Sequence, residues 1–128
     1  MTTVNVVDCS GWLEYFADGP NADYFAPPIE SPATLVVPSI TLLEVFRRIL
    51  HYRSESDALR AAAVMQQGQV VELDPPLAFG AAKLGVECKL PLADSILMAT
   101  ARRFGATVWT QAESFEGLPG VNYRAKRK

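Results

Sequence analysis

"LPLADSILMATARRFGATVWT", residues 90–110, decides the fold of this chain. Residues 90–103 read as a helix, and "ATVWT", rich in β-branched and aromatic residues, as a short buried strand directly behind it. On that helix Asp94 has Leu90, Pro91, Leu97 and Met98 as its surface neighbours, with Ala101 a further turn away. None of them can pair with a charge, and Arg102 and Arg103 point elsewhere. A lone carboxylate on an apolar helix face is costly, so it needs a partner from outside the helix.

Working outward, the same alternation recurs. "TVNVVD" (3–8) is a β-rich run followed by an amphipathic helix from about Ser10 to a stop at Gly19. "DGPNAD" and "APPIESPA" read as loops. "TLVV" (34–37) is a second strand, and Pro38-Ser39 opens a helix to about His51. "SDALRAAAVMQQG" (56–68) is a helix closed by Gly68, "QVVEL" (69–73) a third strand, and Asp74-Pro75 an N-cap and first turn of a helix to about Gly85. "VNY" (121–123) supplies a short edge strand. Strands alternating with helices define an α/β fold with a parallel sheet flanked by helices on both faces, here over a single domain, 1–128.

Composition narrows the function classes. The chain has 128 residues, 49% of them hydrophobic, which suits one domain with a real core. Its formal net charge of −2 neither demands nor excludes a nucleic-acid partner. Two cysteines, Cys9 and Cys88, lack CxxC spacing and are too few for a disulfide scaffold. No apolar run is long enough to span a membrane, and the first residues lack the pattern of a signal peptide, so a cytoplasmic location is expected.

In parallel sheets ligands bind at the carboxyl ends of the strands. Asp8 ends the first strand, Thr110 ends the fourth, and Glu44 and Asp94 lie in the first turns of helices, so all belong near one sheet edge. Carboxylates converging there without cations repel each other and raise each other's pKa. A divalent cation resolves the conflict, and oxygen donors suit Mg²⁺ or Mn²⁺. Asp94's missing partner is then a metal ion.

Each acid also has a structural reading. Asp8 can cap the first helix. Glu44 can form a solvated pair with Arg48, opposite an apolar stripe of Leu42, Leu43, Val45, Phe46, Ile49 and Leu50. Asp94 can be satisfied by first-turn N–H groups. Asp74 fits a cap, His51 has no spaced partner for zinc, and Trp12, Tyr15 and Phe16 form a core stripe. Periodicity alone therefore yields a parallel α/β domain with a candidate acidic metal site.

Together, "VNVVDCSGWLEYF", "VPSITLLEVFRR", "LPLADSILMATARRFGATVWT" and "FEGLPGV" resemble the PIN-domain family, in particular VapC-type toxins of prokaryotic toxin–antitoxin pairs. The resemblance runs through almost the whole chain in order and at matching spacing. It implies a Rossmann-like, three-layer metal-dependent ribonuclease. Asp8, Glu44 and Asp94 correspond to acidic site residues, and Thr110 to a hydroxyl beside the site. The family frame continues Thr-x-Asp-x-x-Phe. Here it reads Thr110-Gln111-Ala112-Glu113-Ser114-Phe115, with Ala112 where the aspartate belongs and Glu113 one residue late. One residue turns a side chain by about 100° at a helix start. Glu113 therefore substitutes only through local rearrangement, or three acids suffice, or the chain is weakened.

The implied chemistry is RNA phosphodiester hydrolysis with Mg²⁺ or Mn²⁺, Asp8 and Asp94 holding metal, Glu44 positioning the nucleophile, and Thr110 behind them. Arg47, Arg48, Arg53, Arg102, Arg103 and the terminal "RAKRK" (124–128) are candidates for RNA phosphates. The resemblance also implies a homodimer and a cognate antitoxin. Two other classes stay open: a non-catalytic PIN module binding RNA or a partner, and a receiver-type phosphoacceptor. The latter normally needs an acidic pair after the first strand and a lysine after the last, which this chain does not clearly supply.

Overall fold

The computed structural model describes residues 3–127; Lys128, the end of the basic tail, lies outside them. The apolar runs form five parallel strands: β1 (Asn5–Val7), β2 (Val36–Pro38), β3 (Gln69–Val71), β4 (Thr107–Thr110) and β5 (Val121–Tyr123). Val6 pairs with Val108 and Trp109 with Asn122, which sets the three-stranded part β1-β4-β5. Val37 pairs with Val70 in the two-stranded part β2-β3, and a single parallel bridge, Asn5 to Leu35, joins the two. The order is therefore β3-β2-β1-β4-β5. The chain winds outward from β1 to β3, then returns to start again at β4. That puts the topological switch point between β1 and β4, where such folds open a crevice.

The helices are α1 (Cys9–Phe16), α2 (Ala22–Ile29), α3 (Ser39–Tyr52), α4 (Glu55–Met65), α5 (Pro75–Cys88) and α6 (Leu92–Arg103). Successive valines point to opposite faces of the sheet, and each face has its own core. Val6, Val36 and Val108 pack with Leu84 of α5, Leu97, Met98 and Ala101 of α6, and Phe115. Val7, Leu35 and Val37 pack with Trp12 of α1, Phe25 of α2, Val45 of α3 and Met65 of α4. The result is a three-layer α/β fold with the sheet in the middle.

Most elements lie where the periodicity and caps place them, and Asp74 does cap α5, its Oδ1 accepting from Leu77 N at 2.9 Å. Three details differ. Residues 22–29, most of which fall in the stretches 18–23 and 26–33 expected as loops, form α2. Pro27 and Pro28 remove two N–H donors from its last turns, which reads as a breaker, yet burial of Phe25, Pro28 and Ile29 holds the short helix. Gly85, expected to end α5, lies inside it; α5 runs on to Cys88 and closes at Lys89, which is left-handed with φ 56°. A Cβ at Gly85 would collide with Ser95 Oγ, so this glycine allows α5 and α6 to approach closely. On α3 the buried residues are Thr41 and Val45, while Leu43 and Leu50 are 56% and 45% exposed, so the apolar stripe is wider than the face that packs.

Candidate functional site

Asp8 leaves β1 with extended backbone and caps α1. Its Oδ1 accepts from Gly11 N at 3.0 Å and Ser10 Oγ at 2.7 Å. Its Oδ2 accepts from Thr110 Oγ1, also at 2.7 Å. Thr110, at the end of neighbouring β4, accepts in turn from Ala112 N at 2.9 Å. Capping and site geometry are thus one arrangement: the bonds that start α1 also fix the carboxylate at the switch point. Burial raises the Asp8 carboxyl above its ordinary pKa although all three bonds favour the anion; the Asp94 charge adds to the rise.

Asp94, in the first turn of α6, is half-buried. It has a partner that helix periodicity did not reveal, Ser114, whose Oγ donates to Oδ2 at 2.7 Å across 20 residues of sequence. Burial still raises its pKa, opposed by that bond. Glu44 sits in the second turn of α3. Burial, then the charges of Asp94 and Asp8, push its carboxyl from 4.5 to about 7. The expected pair with Arg48 is not formed; among the described residues the ion pairs are Arg60–Asp57 and Arg103–Asp74, neither of them made by these three acids. The Cys9 thiol is pushed up to about 12 by burial, then by Glu44 and Asp8.

Asp8 and Asp94 open onto a cavity of about 900 Å³ that Gln111 and Ala112 also line, with cationic side chains from Arg48, Arg53, Arg60 and Lys126. Glu44 is coupled to the acids by its field without lining this cavity, and Thr110 stands behind Asp8. Of the other sequence candidates, Ala112 is at the wall, whereas Glu113 and Arg47 are exposed residues outside the lining. Arg103 is engaged by Asp74 through bonds of 2.9 and 3.0 Å, and with Arg102 it borders a different, shallower depression between α5 and α6.

A buried polar network that periodicity does not mark lies beside the acids. Glu14 Oε2 accepts from Asn21 N at 2.7 Å, and Asn21 Nδ2 donates to Gln111 Oε1 at 2.9 Å. A polar residue directly after Thr110 was the available hint, and Gln111 proves to be buried.

The donor set fits a hydrated divalent cation. It is all carboxylate oxygen, it carries mutual repulsion, and the described residues bring no cation into pairing distance of it. Among the described residues no three acidic, histidine or cysteine side chains converge into a closed cage. One or two carboxylates with water completing the shell is the magnesium pattern.

A consequence for pH follows. Between 4.5 and about 7 the folded chain retains a proton on Glu44 that the unfolded chain has released. The native state binds more protons there, so stability falls as pH rises through that window. Metal-free protein is expected to melt at a lower temperature at about pH 8 than at about pH 5.5, and Glu44→Gln to flatten the trend. A thermal melt series checks this; a melting temperature that climbs over the interval contradicts it.

The PIN-domain family matches residues 6–120, and the chain belongs to that family. No match is found among proteins of curated function. Solved structures that share its fold include several of VapBC toxin–antitoxin systems. A toxin–antitoxin complex from Klebsiella pneumoniae is similar at 24% identity and a TM-score of 0.78, covering 92% of this chain and 95% of that one. VapC20 of Mycobacterium tuberculosis, a toxin that cleaves the sarcin–ricin loop, is similar at 19% identity and a TM-score of 0.75, over 91% and 95%. VapBC2 from Rickettsia felis, bound to a promoter DNA fragment, is similar at 13% identity and a TM-score of 0.74, over 96% and 98%. No helix among the described residues is long and apolar enough to cross a membrane.

Proposed function

We propose that this chain is a Mg²⁺- or Mn²⁺-dependent endoribonuclease, the toxin of a toxin–antitoxin pair acting in the cytoplasm. The observation that carries the reading is the pair Asp8 and Asp94 on the wall of one cavity at the switch point, with Glu44 coupled to both by its field and, among the described residues, no ion pair to any of the three. Asp8 and Asp94 would hold the ion. When bound, it supplies charge stabilisation at the scissile phosphate and lowers the pKa of the attacking water. Thr110 and Gly11 keep the Asp8 carboxylate aimed, and Ser114 does so for Asp94. Glu44, whose carboxyl sits near neutrality, orients that water and can take its proton. Arg48 and Arg53 of the cavity wall contact RNA phosphates.

The antitoxin partner rests on the likeness to toxin–antitoxin complexes, VapBC among them. A second copy of the chain is supported by apolar side chains left exposed on α3 and α5: Leu43, Leu50, Phe79 at 74% and Val86 at 82%. Ala112 supports a second reading, a PIN module that binds RNA with weakened or no cleavage. Membership of the PIN family argues against the receiver-type reading.

The test is metal-dependent RNA cleavage by purified chain, stopped by EDTA, together with a thermal melt. An ion at a hundred times its Kd stabilises the fold by about 2.7 kcal/mol, and Asp8→Asn is expected to blunt the rise. No shift with millimolar Mn²⁺ overturns the metal site. A shift without cleavage selects the second reading.

A further inference from the structure

The chain does not end at β5. Arg124 N donates to Thr110 O at 3.1 Å, and the Arg124 guanidinium lies 4.2 Å from the centre of the Tyr24 ring. One residue later, Ala125 O accepts from Asn21 Nδ2 at 3.0 Å. Lys126 then lines the cavity that holds Asp8 and Asp94.

Asn21 is 0% exposed, and its side chain does not cap α2, the helix it precedes. Burying an amide is costly unless its hydrogen bonds are made. Both bonds of Nδ2 run toward the site, one to Gln111 Oε1 on the cavity wall and one to the tail, while Oδ1 has no partner. The backbone of Asn21 is itself fixed by the buried Glu14 carboxylate. A fully buried, half-satisfied amide thus ties an otherwise exposed basic tail to the wall of the cavity that holds Asp8 and Asp94.

The cations on that cavity come from different elements. Arg48 and Arg53 come from the α3 side, Arg60 is engaged by Asp57, and Lys126 arrives separately from the tail. A nucleic-acid strand with its scissile phosphate at Asp8 and Asp94 needs cations for the phosphates on both sides of the cut, because the acids repel them. Arg48 and Arg53 serve one side. We propose that Lys126 grips an RNA backbone phosphate on the other side, and that Asn21 is the positioning residue that holds the tail there through Ala125 O. This rests on the ribonuclease reading above, and names how the same site takes single-stranded RNA.

The experiment measures binding of a short fluorescein-labelled single-stranded RNA by anisotropy, in Ca²⁺, across a series of salt concentrations. Lys126 is exposed, so Lys126→Ala leaves the fold untouched. It is expected to weaken binding about tenfold at low salt and to reduce the slope of log K against log salt by about 0.7, one phosphate's share on a single strand. Lys126→Arg keeps the slope. Asn21→Ala gives the same loss, and Asn21→Ala combined with Lys126→Ala adds nothing further, as expected of groups acting through one contact. If Asn21→Ala misfolds by circular dichroism, Asn21→Ser, which keeps a donor, and the two Lys126 variants carry the decision. Lys126→Ala with the unmodified affinity and slope overturns the phosphate contact. Additive losses overturn the role of Asn21. RNA that fails to bind the unmodified chain overturns the ribonuclease reading and this inference with it, whereas equal binding to both chains overturns this inference alone.

Discussion

Asp94→Asn is expected to stop metal-dependent RNA cleavage while raising the melting temperature of the metal-free protein. Asparagine keeps the volume and an oxygen to accept from Ser114 Oγ, so the contact that ties the first turn of α6 to the loop after β4 survives. What disappears is a negative charge that lifts the pKa of both Glu44 and Asp8. Removing it lowers the repulsion in the folded chain, hence the gain in stability. The same charge is what an ion needs. Changing even a group behind a metal ligand typically costs 10- to 100-fold, so losing a ligand is expected to exceed about a hundredfold. Cleavage of one RNA at matched Mn²⁺, with a melt of each protein, measures both effects. Unchanged cleavage removes Asp94 from the site, and a fall in melting temperature shows that its carboxylate is a structural anchor instead.

Ala112→Asp is expected to increase cleavage by on the order of a hundredfold, the size of effect that mispositioned catalytic groups produce. Ala112 lines the cavity, and its backbone is extended (φ −86°, ψ 127°) and pinned by the Thr110 hydroxyl. A carboxylate built there stands on the wall shared with Asp8 and Asp94. Glu113 begins the 3₁₀ turn Glu113–Phe115, is exposed, and acts electrostatically on Tyr123 of β5. Glu113→Gln is therefore expected to be silent. The added charge should lower the metal-free melting temperature, with Mn²⁺ recovering it. Full activity in the unmodified chain, indifferent to both substitutions, establishes that three acids are enough.

What was legible in the sequence was local. Asp8 and Thr110 could be placed because a strand end is visible in a run such as "TVNVVD" or "ATVWT", and Asp74-Pro75 announced a cap. Helix α2 was not legible, because Pro27-Pro28 is a breaker by propensity and its support comes from tertiary burial of Phe25. The packed face of α3 was misjudged for a similar reason: apolarity marks Leu43 and Leu50 as readily as Val45, and only the neighbouring helices decide which is covered. Ser114 was invisible as Asp94's partner, since no periodicity links a helix start to a turn 20 residues on. Asn21 likewise sat in a stretch that reads as plain loop.

The lone bridge between Asn5 and Leu35 gives the sheet a seam. On one side hang Asp8 and Thr110, from strands bonded along their length; on the other hangs Glu44, from a leaf whose outer strand, β3, is mostly exposed. The two parts share both cores, but β3 is the exposed outer strand, so β3 amides should exchange with deuterium sooner than those of β1 and β4. A divalent ion held by Asp8 and Asp94, with Glu44 reaching it through water, would link the two parts across that seam, and adding Mn²⁺ is expected to slow exchange in β2 and β3.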